Sequence, residues 1–150
     1  MTEAELPKLL NELEQATNRL NAESNSINTI IESVEMRVRT ANPGIECTLT
    51  ERLKTQDEDR VIETANLGFG KSGGSWGLFL YNLSREGGPL SARLAIDLDD
   101  DNKPKPVPLA KASRALRLAA LRELPQLIEA LTRKVQINIE AIEDARRVVF

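Results

Sequence analysis

Residues 6–38 read LPKLLNELEQATNRLNAESNSINTIIESVEMRV, and an apolar residue recurs in this stretch at every seventh position. Two rows make up the repeat: Leu6, Leu13, Leu20, Ile27 and Val34 in the first, and Leu10, Ile31 and Val38 in the second. A similar repeat near the other end of the chain consists of Leu121, Ile128, Val135, Ile142 and Val149, with Leu124 and Leu131 beside it. Such a repeat keeps one stripe of a helix, here called its seam, turned toward a partner over many turns. The chain is therefore predicted to begin and end with a long helix, over residues 1–42 and 108–150.

The segment 43–99, between these helices, contains short runs in which apolar and polar residues alternate, as they do in β-strands. Four runs are bounded by turn residues: 45–49, Arg60–Phe69, Trp76–Leu83 and Leu90–Leu98. Short turns between successive strands favour antiparallel pairing over crossover connections. This segment is predicted to form a four-stranded antiparallel meander, followed by a polar connector over residues 100–107. The fold class is α+β, with residues 1–150 as a single domain.

Both helices contain residues that weaken a helix. Asparagine and serine are frequent at positions 21–26, where a bend or short break is expected, and Pro125 predicts a kink or restart in the last helix. Residues 1–41 contain seven acidic and four basic residues, a net charge of −3, whereas residues 107–150 contain five acidic and eight basic residues, a net charge of +3. These opposite signs, and a meander expected to return the chain to its starting point, predict that the helices pair antiparallel.

Composition limits the classes of function. The net charge of −3 argues against nucleic acid or an anionic membrane as partner, and no apolar run predicts a membrane span or secretory signal. A single cysteine, Cys47, fits a cytoplasmic location. Histidine is absent, which removes the commonest general base and zinc ligand. We therefore expect no catalytic residues, no cofactor and no metal, and a protein that is not an enzyme.

A non-enzymatic module for protein interaction and assembly is the function that the pattern favours. The third strand is apolar on both faces, and Ile62, Phe79 and Tyr81 are expected on one face of the sheet, where they bind a partner or lie under a helix. On the helical seams the candidate contact residues are Leu20, Ile27, Ile142 and Val149. The seams are longer than a small sheet can cover, so a homodimer is expected, with another protein as a further possible partner.

Two alternatives come from other classes. Two long helices joined by β-hairpins resemble the layout of prefoldin subunits, which implies a chaperone-like holder of other polypeptides. The resemblance is one of architecture, with no shared motif. A nucleotide-binding enzyme would use the glycine-rich loop at Lys71 and Ser72. That motif requires a glycine where the chain has Ala65 and a helix immediately afterwards, so a hairpin turn is the favoured interpretation of this loop.

Overall fold

The computed structural model describes residues 3–56, 61–87, 96 and 98–149. Helix α1 spans Glu5–Ala41 and helix α2 spans Arg114–Val149. Between them lie the strands β1 Cys47–Thr48, β2 Leu53–Gln56, β3 Ile62–Ser72, β4 Ser75–Glu86 and β5 Val107–Pro108, and one turn of 3-10 helix, Leu109–Lys111. The predicted α+β class, with a long helix at each end of an antiparallel sheet, is confirmed.

The sheet is built around the long β3–β4 hairpin. Its order is β1-β3-β4-β5, and β2 pairs with β3 beside β1, every pairing being antiparallel. Strand β2 includes Thr55 and Gln56, which were predicted to belong to a turn. Of the predicted fourth strand, Leu90–Leu98, residues 90–95 and 97 lie outside the described residues. Within the described residues, the neighbour of β4 on the side away from β3 is β5, which falls at the junction of the predicted connector and last helix.

One face of the sheet forms the core together with the two helices. Leu67 of β3 and Leu80 of β4 are fully buried there, as are Ile31 of α1 and Leu127 of α2. Phe69 lies within the same cluster and stacks on Trp76, with ring centroids 5.6 Å apart. Each such side chain contributes about 1.5–3 kcal/mol on leaving water, so this layer between sheet and helices holds the fold together.

Both helices are continuous where interruptions were expected. Helix α1 passes through residues 21–26 without a break, and Ser24 there is only 8% exposed. The helix ends at the Asn42-Pro43 sequence as predicted, where Asn42 adopts the left-handed conformation and donates its N–H to the Val38 carbonyl. Helix α2 includes Pro125 and runs on to Val149 without a restart.

The last helix begins later than residue 108. Its first turn is capped by Ser113, whose Oγ accepts the Leu116 N–H at 3.2 Å. The same hydroxyl donates to Glu63 Oε1 at 2.7 Å, which fixes the start of α2 to the start of β3.

The expected antiparallel pairing of the helices is wrong, because they run in the same direction where they meet. Near the start of the contact Arg117 donates to Asn28, and near its end Lys134 donates to the Glu46 carbonyl, just beyond α1. Helix α1 ends beside the β3–β4 turn, since Arg39 Nε donates to the Trp76 carbonyl at 2.6 Å. Helix α2 starts at the opposite end of the sheet, so it must run parallel to α1.

Candidate interaction surfaces

The first half of α1 is a solvent-exposed amphipathic helix with an open apolar seam. Every residue from Glu5 to Glu23, here called the N-terminal arm, is exposed. Its seam leucines have large exposed fractions: Leu6 51%, Leu10 49%, Leu13 61% and Leu20 47%. Further along the same helix the seam residue Ile31 is only 1% exposed. The seam is therefore covered in one half of the helix and open to water in the other.

The end of α2 has the same character. Every residue from Gln136 to Val149, here called the C-terminal arm, is exposed. Ile142 is 59% exposed and Val149 is 73% exposed, and both continue the seam of Leu124 and Leu131, which are buried. Because α1 and α2 run parallel and are offset, the two arms leave opposite ends of the folded body.

The predicted seam residues fall into two groups. Leu20, Ile142 and Val149 lie on the arms, whereas Ile27 is half-buried and packs against the core. The structure thus does not bring the four residues together within one molecule. Asn138 is a polar residue that continues the row of Leu124 and Leu131 on α2. It is exposed, and its side-chain amide donates to the Lys134 carbonyl at 2.8 Å.

An apolar groove connects the body to the C-terminal arm. Val34 and Val38 of α1 face Ile128, Leu131 and Val135 of α2 across an open groove of about 420 Å³. The groove extends the seam contact beyond the point where the sheet covers it. Sequence periodicity identified all five residues as seam positions, but could not show which stretches of seam stay open.

The predicted sheet surface lies on the face away from the core. The register places Ile62, Tyr81 and Phe79 on the same side of the β3–β4 hairpin, with the rings of Phe79 and Tyr81 6.2 Å apart. Ile62 and Tyr81 are half-buried, and Phe79 is only 8% exposed. Phe79 is not part of the core cluster, so it is buried on the opposite side of the sheet.

Glycines of β3 form the floor beneath Tyr81. A Cβ at Gly68 would lie 2.8 Å from Tyr81 Cε2, and a Cβ at Gly70 would collide with the Tyr81 hydroxyl. The ring therefore lies across two positions that lack side chains, an arrangement in which an aromatic residue compensates for glycines within a strand. Burial raises the pKa of the Tyr81 phenol, and the nearby Glu46 carboxylate raises it further.

A polar network that was not predicted from the sequence lies on this face. Strand β4 contains a bulge at Asn82, which has a φ of 54°. Arg52 donates to the Asn82 carbonyl at 2.6 Å, to Asn66 Oδ1 at 3.0 Å and to Thr64 Oγ1 at 2.9 Å. These bonds fix the bulge and make the face beside Tyr81 polar. The Tyr81-Asn82 pair carries no recognisable bulge signal, because asparagine is equally common in turns.

The glycine-rich loop is a hairpin turn, as favoured. Ser72 pairs with Ser75, and Gly73 and Gly74 between them have φ values of 60° and 83°, as a two-residue type I′ turn requires. Lys71 and Ser72 are the last residues of β3, and the next element is β4 rather than a helix.

Neither a metal cluster nor a membrane span is found in the part of the chain that the structure describes. No group of three or more cysteine, aspartate or glutamate side chains there is close enough to hold an ion. The described stretches of helix are too polar to cross a bilayer. No family model, curated protein or solved structure matches this chain.

Proposed function

We propose that this protein is a non-enzymatic interaction and assembly module that self-associates through its helical seams. The observation that supports the proposal is the contrast along one helix: Leu10 is 49% exposed and Ile31 is 1% exposed, at equivalent positions of one repeat. A single exposed leucine is ordinary, but a row of them in continuation of a buried seam is typical of a surface covered by another molecule. A homodimer is the simplest assembly that would cover it.

The sheet surface at Ile62 and Tyr81 is a second candidate site, for another protein. Both side chains are half-buried, and neither belongs to the core cluster that packs against the helices. Phe79, expected to contribute, is 8% exposed, so it would support Tyr81 rather than contact a partner itself.

Self-association is tested by the mass in solution. In analytical ultracentrifugation the wild-type protein is expected to sediment as a dimer. Leu13→Glu places a charge on the seam and is expected to give the monomer mass. Gln15→Glu adds the same charge to the N-terminal arm outside the seam and should leave the dimer intact. The near-ultraviolet circular dichroism of Trp76 checks that the body remains folded in both variants. A monomeric wild-type protein at high concentration would contradict the proposal.

The other two functions receive less support. In a prefoldin-like holder the helices would stand side by side as a pair, whereas here the arms leave opposite ends of the body. Suppression of the aggregation of an unfolded client by the protein would nevertheless favour a holder. A nucleotide site at Lys71 lacks the helix N-terminus that phosphate recognition uses. A rise in melting temperature with ATP and magnesium would revive it.

A further inference from the structure

We infer that the N-terminal arm pairs antiparallel with the C-terminal arm of a second copy, and that the exchange is reciprocal. The inference rests on the self-association proposed above and names the segments that carry it. It requires that the two arms match in spacing, in layer composition and in flanking charge, and that the resulting assembly closes.

The spacing of both arms identifies a helix as the occupant. Seam residues alternate at intervals of three and four in each, the spacing of knobs-into-holes packing between helices. In the N-terminal arm they are Leu6, Leu10, Leu13, Thr17 and Leu20; toward the C-terminal arm they are Val135, Asn138, Ile142, Ala145 and Val149. A helix that lies on an anionic membrane has basic residues on its polar face. The N-terminal arm has four acidic and two basic residues, so a membrane fits poorly.

One antiparallel register matches every layer. With Leu13 opposite the partner's Ile142, the apolar pairs are Leu20 with the partner's Val135, Leu10 with the partner's Ala145, and Leu6 with the partner's Val149. The same register places Thr17 opposite the partner's Asn138, so the polar residue of each seam meets the other. A polar layer of this kind fixes register. A shift of seven residues one way would place Asn138 against Leu10, and the other way against Ser24, which is already buried in its own molecule at 8% exposure.

Flanking residues agree with the same register. Glu23 falls beside the partner's Lys134, just before the C-terminal arm, where its carboxylate would face an ammonium that also donates to the Glu46 carbonyl of its own molecule. Leu9, 43% exposed and outside the seam, falls beside the partner's Val148, which is 87% exposed. Charge pairs at such positions select partner and orientation more than they add affinity.

The offset of α1 and α2 makes this exchange a closed dimer. Within one molecule the helices are parallel and the arms point in opposite directions. Two copies placed antiparallel bring each N-terminal arm beside the other copy's C-terminal arm, so one two-fold axis covers all four arms. Pairing of two N-terminal arms would leave both C-terminal arms exposed. Parallel head-to-tail pairing would repeat without closing and form fibres.

Engineered disulfides test the register. In one molecule residues 13 and 142 are about 60 Å apart along the helix axes, so a disulfide between them must join two copies. Leu13→Cys with Ile142→Cys is expected to form a covalent dimer on a non-reducing gel. Leu20→Cys with Ile142→Cys is the matched control, because its thiols would be about 10 Å apart in the inferred register, beyond disulfide reach. Cys47 is 3% exposed, and the wild-type protein controls for its reaction.

The outcomes separate the two proposals. A disulfide in the first variant and none in the control supports the arm exchange. A dimeric mass overturns the exchange and leaves self-association intact if the disulfide forms only in the control, forms already with Leu13→Cys as a single substitution, or forms in no variant. A monomeric mass for the unmodified protein overturns both.

Discussion

Gly70→Ala is expected to destabilise the protein, and Tyr81→Phe is expected to remove that cost. A Cβ at Gly70 would collide with the Tyr81 hydroxyl oxygen, while the next nearest atoms, Glu46 Cγ and Tyr81 Cζ, are at 3.5 Å, an ordinary contact distance. Overpacking of a filled site costs about 1–3 kcal/mol. Without the hydroxyl the added methyl group fits, and alanine recovers about 0.4–1 kcal/mol through the entropy of the unfolded chain.

The measurement is a double-mutant cycle by urea unfolding at one protein concentration, followed through the fluorescence of Trp76, the single tryptophan. The coupling free energy between the two substitutions is expected to be about 1–3 kcal/mol, with the double variant more stable than the sum of the two single effects predicts. Gly68→Ala is the matched control, because its Cβ would lie 2.9 Å from the Cys47 carbonyl oxygen and 2.8 Å from Tyr81 Cε2, neither of which Tyr81→Phe removes. If the substitutions at 70 and 81 are additive, the contact described here does not exist in solution.

Three further results are expected. Tyr81 is the single tyrosine, and its tyrosinate absorbance should appear at higher pH in the folded than in the unfolded protein, because burial and then Glu46 raise its pKa above 10.0. The neutral phenol therefore stabilises the folded protein below pH 10, and this contribution is lost as pH rises through the folded-state pKa. Glu46→Gln should lower the midpoint of the titration. Ile31→Ala should lower the free energy of unfolding in urea by about 2–5 kcal/mol. Ile30→Ala, on the exposed side of the same turn, should lower it by under about 1 kcal/mol, and equal losses would contradict the described burial. The thiol of Cys47 should react with a colorimetric disulfide reagent only after unfolding, and rapid reaction of the native protein would show that its burial is wrong.

Periodicity was sufficient to predict both helices and the class of the fold. The repeat from Leu6 to Val38 specified α1, and Asn42-Pro43 specified its end, because both signals are local. A bend or short break was expected at residues 21–26, and the break is wrong: the helix is continuous there because Ser24 is buried, and packing outweighs the weak helix propensity of serine. Strand β2 was missed because Thr55 and Gln56 precede three acidic residues in the sequence, a composition typical of a turn, although Thr55 is buried opposite Glu63.

The relative direction of the helices could not be read from either seam. An apolar row accepts a parallel or an antiparallel neighbour, and the choice is made by where the chain leaves the sheet. Here that depends on β5 and on the bond from Ser113 to Glu63, neither of which has a periodic signal. The same limitation applies to the interaction surfaces. Leu20 and Ile27 look equivalent in the sequence, and only the position of the body separates an exposed residue from a half-buried one.

Among the described residues, all those before Ser24 and all those after Val135 are exposed. Under the arm exchange inferred above, folding and partner choice would be governed by separate sets of amino acids. Substitutions in the outer segments would then alter how strongly the second copy is recognised, at little thermodynamic cost to the centre. The association would be free to change in evolution while the central architecture stays fixed.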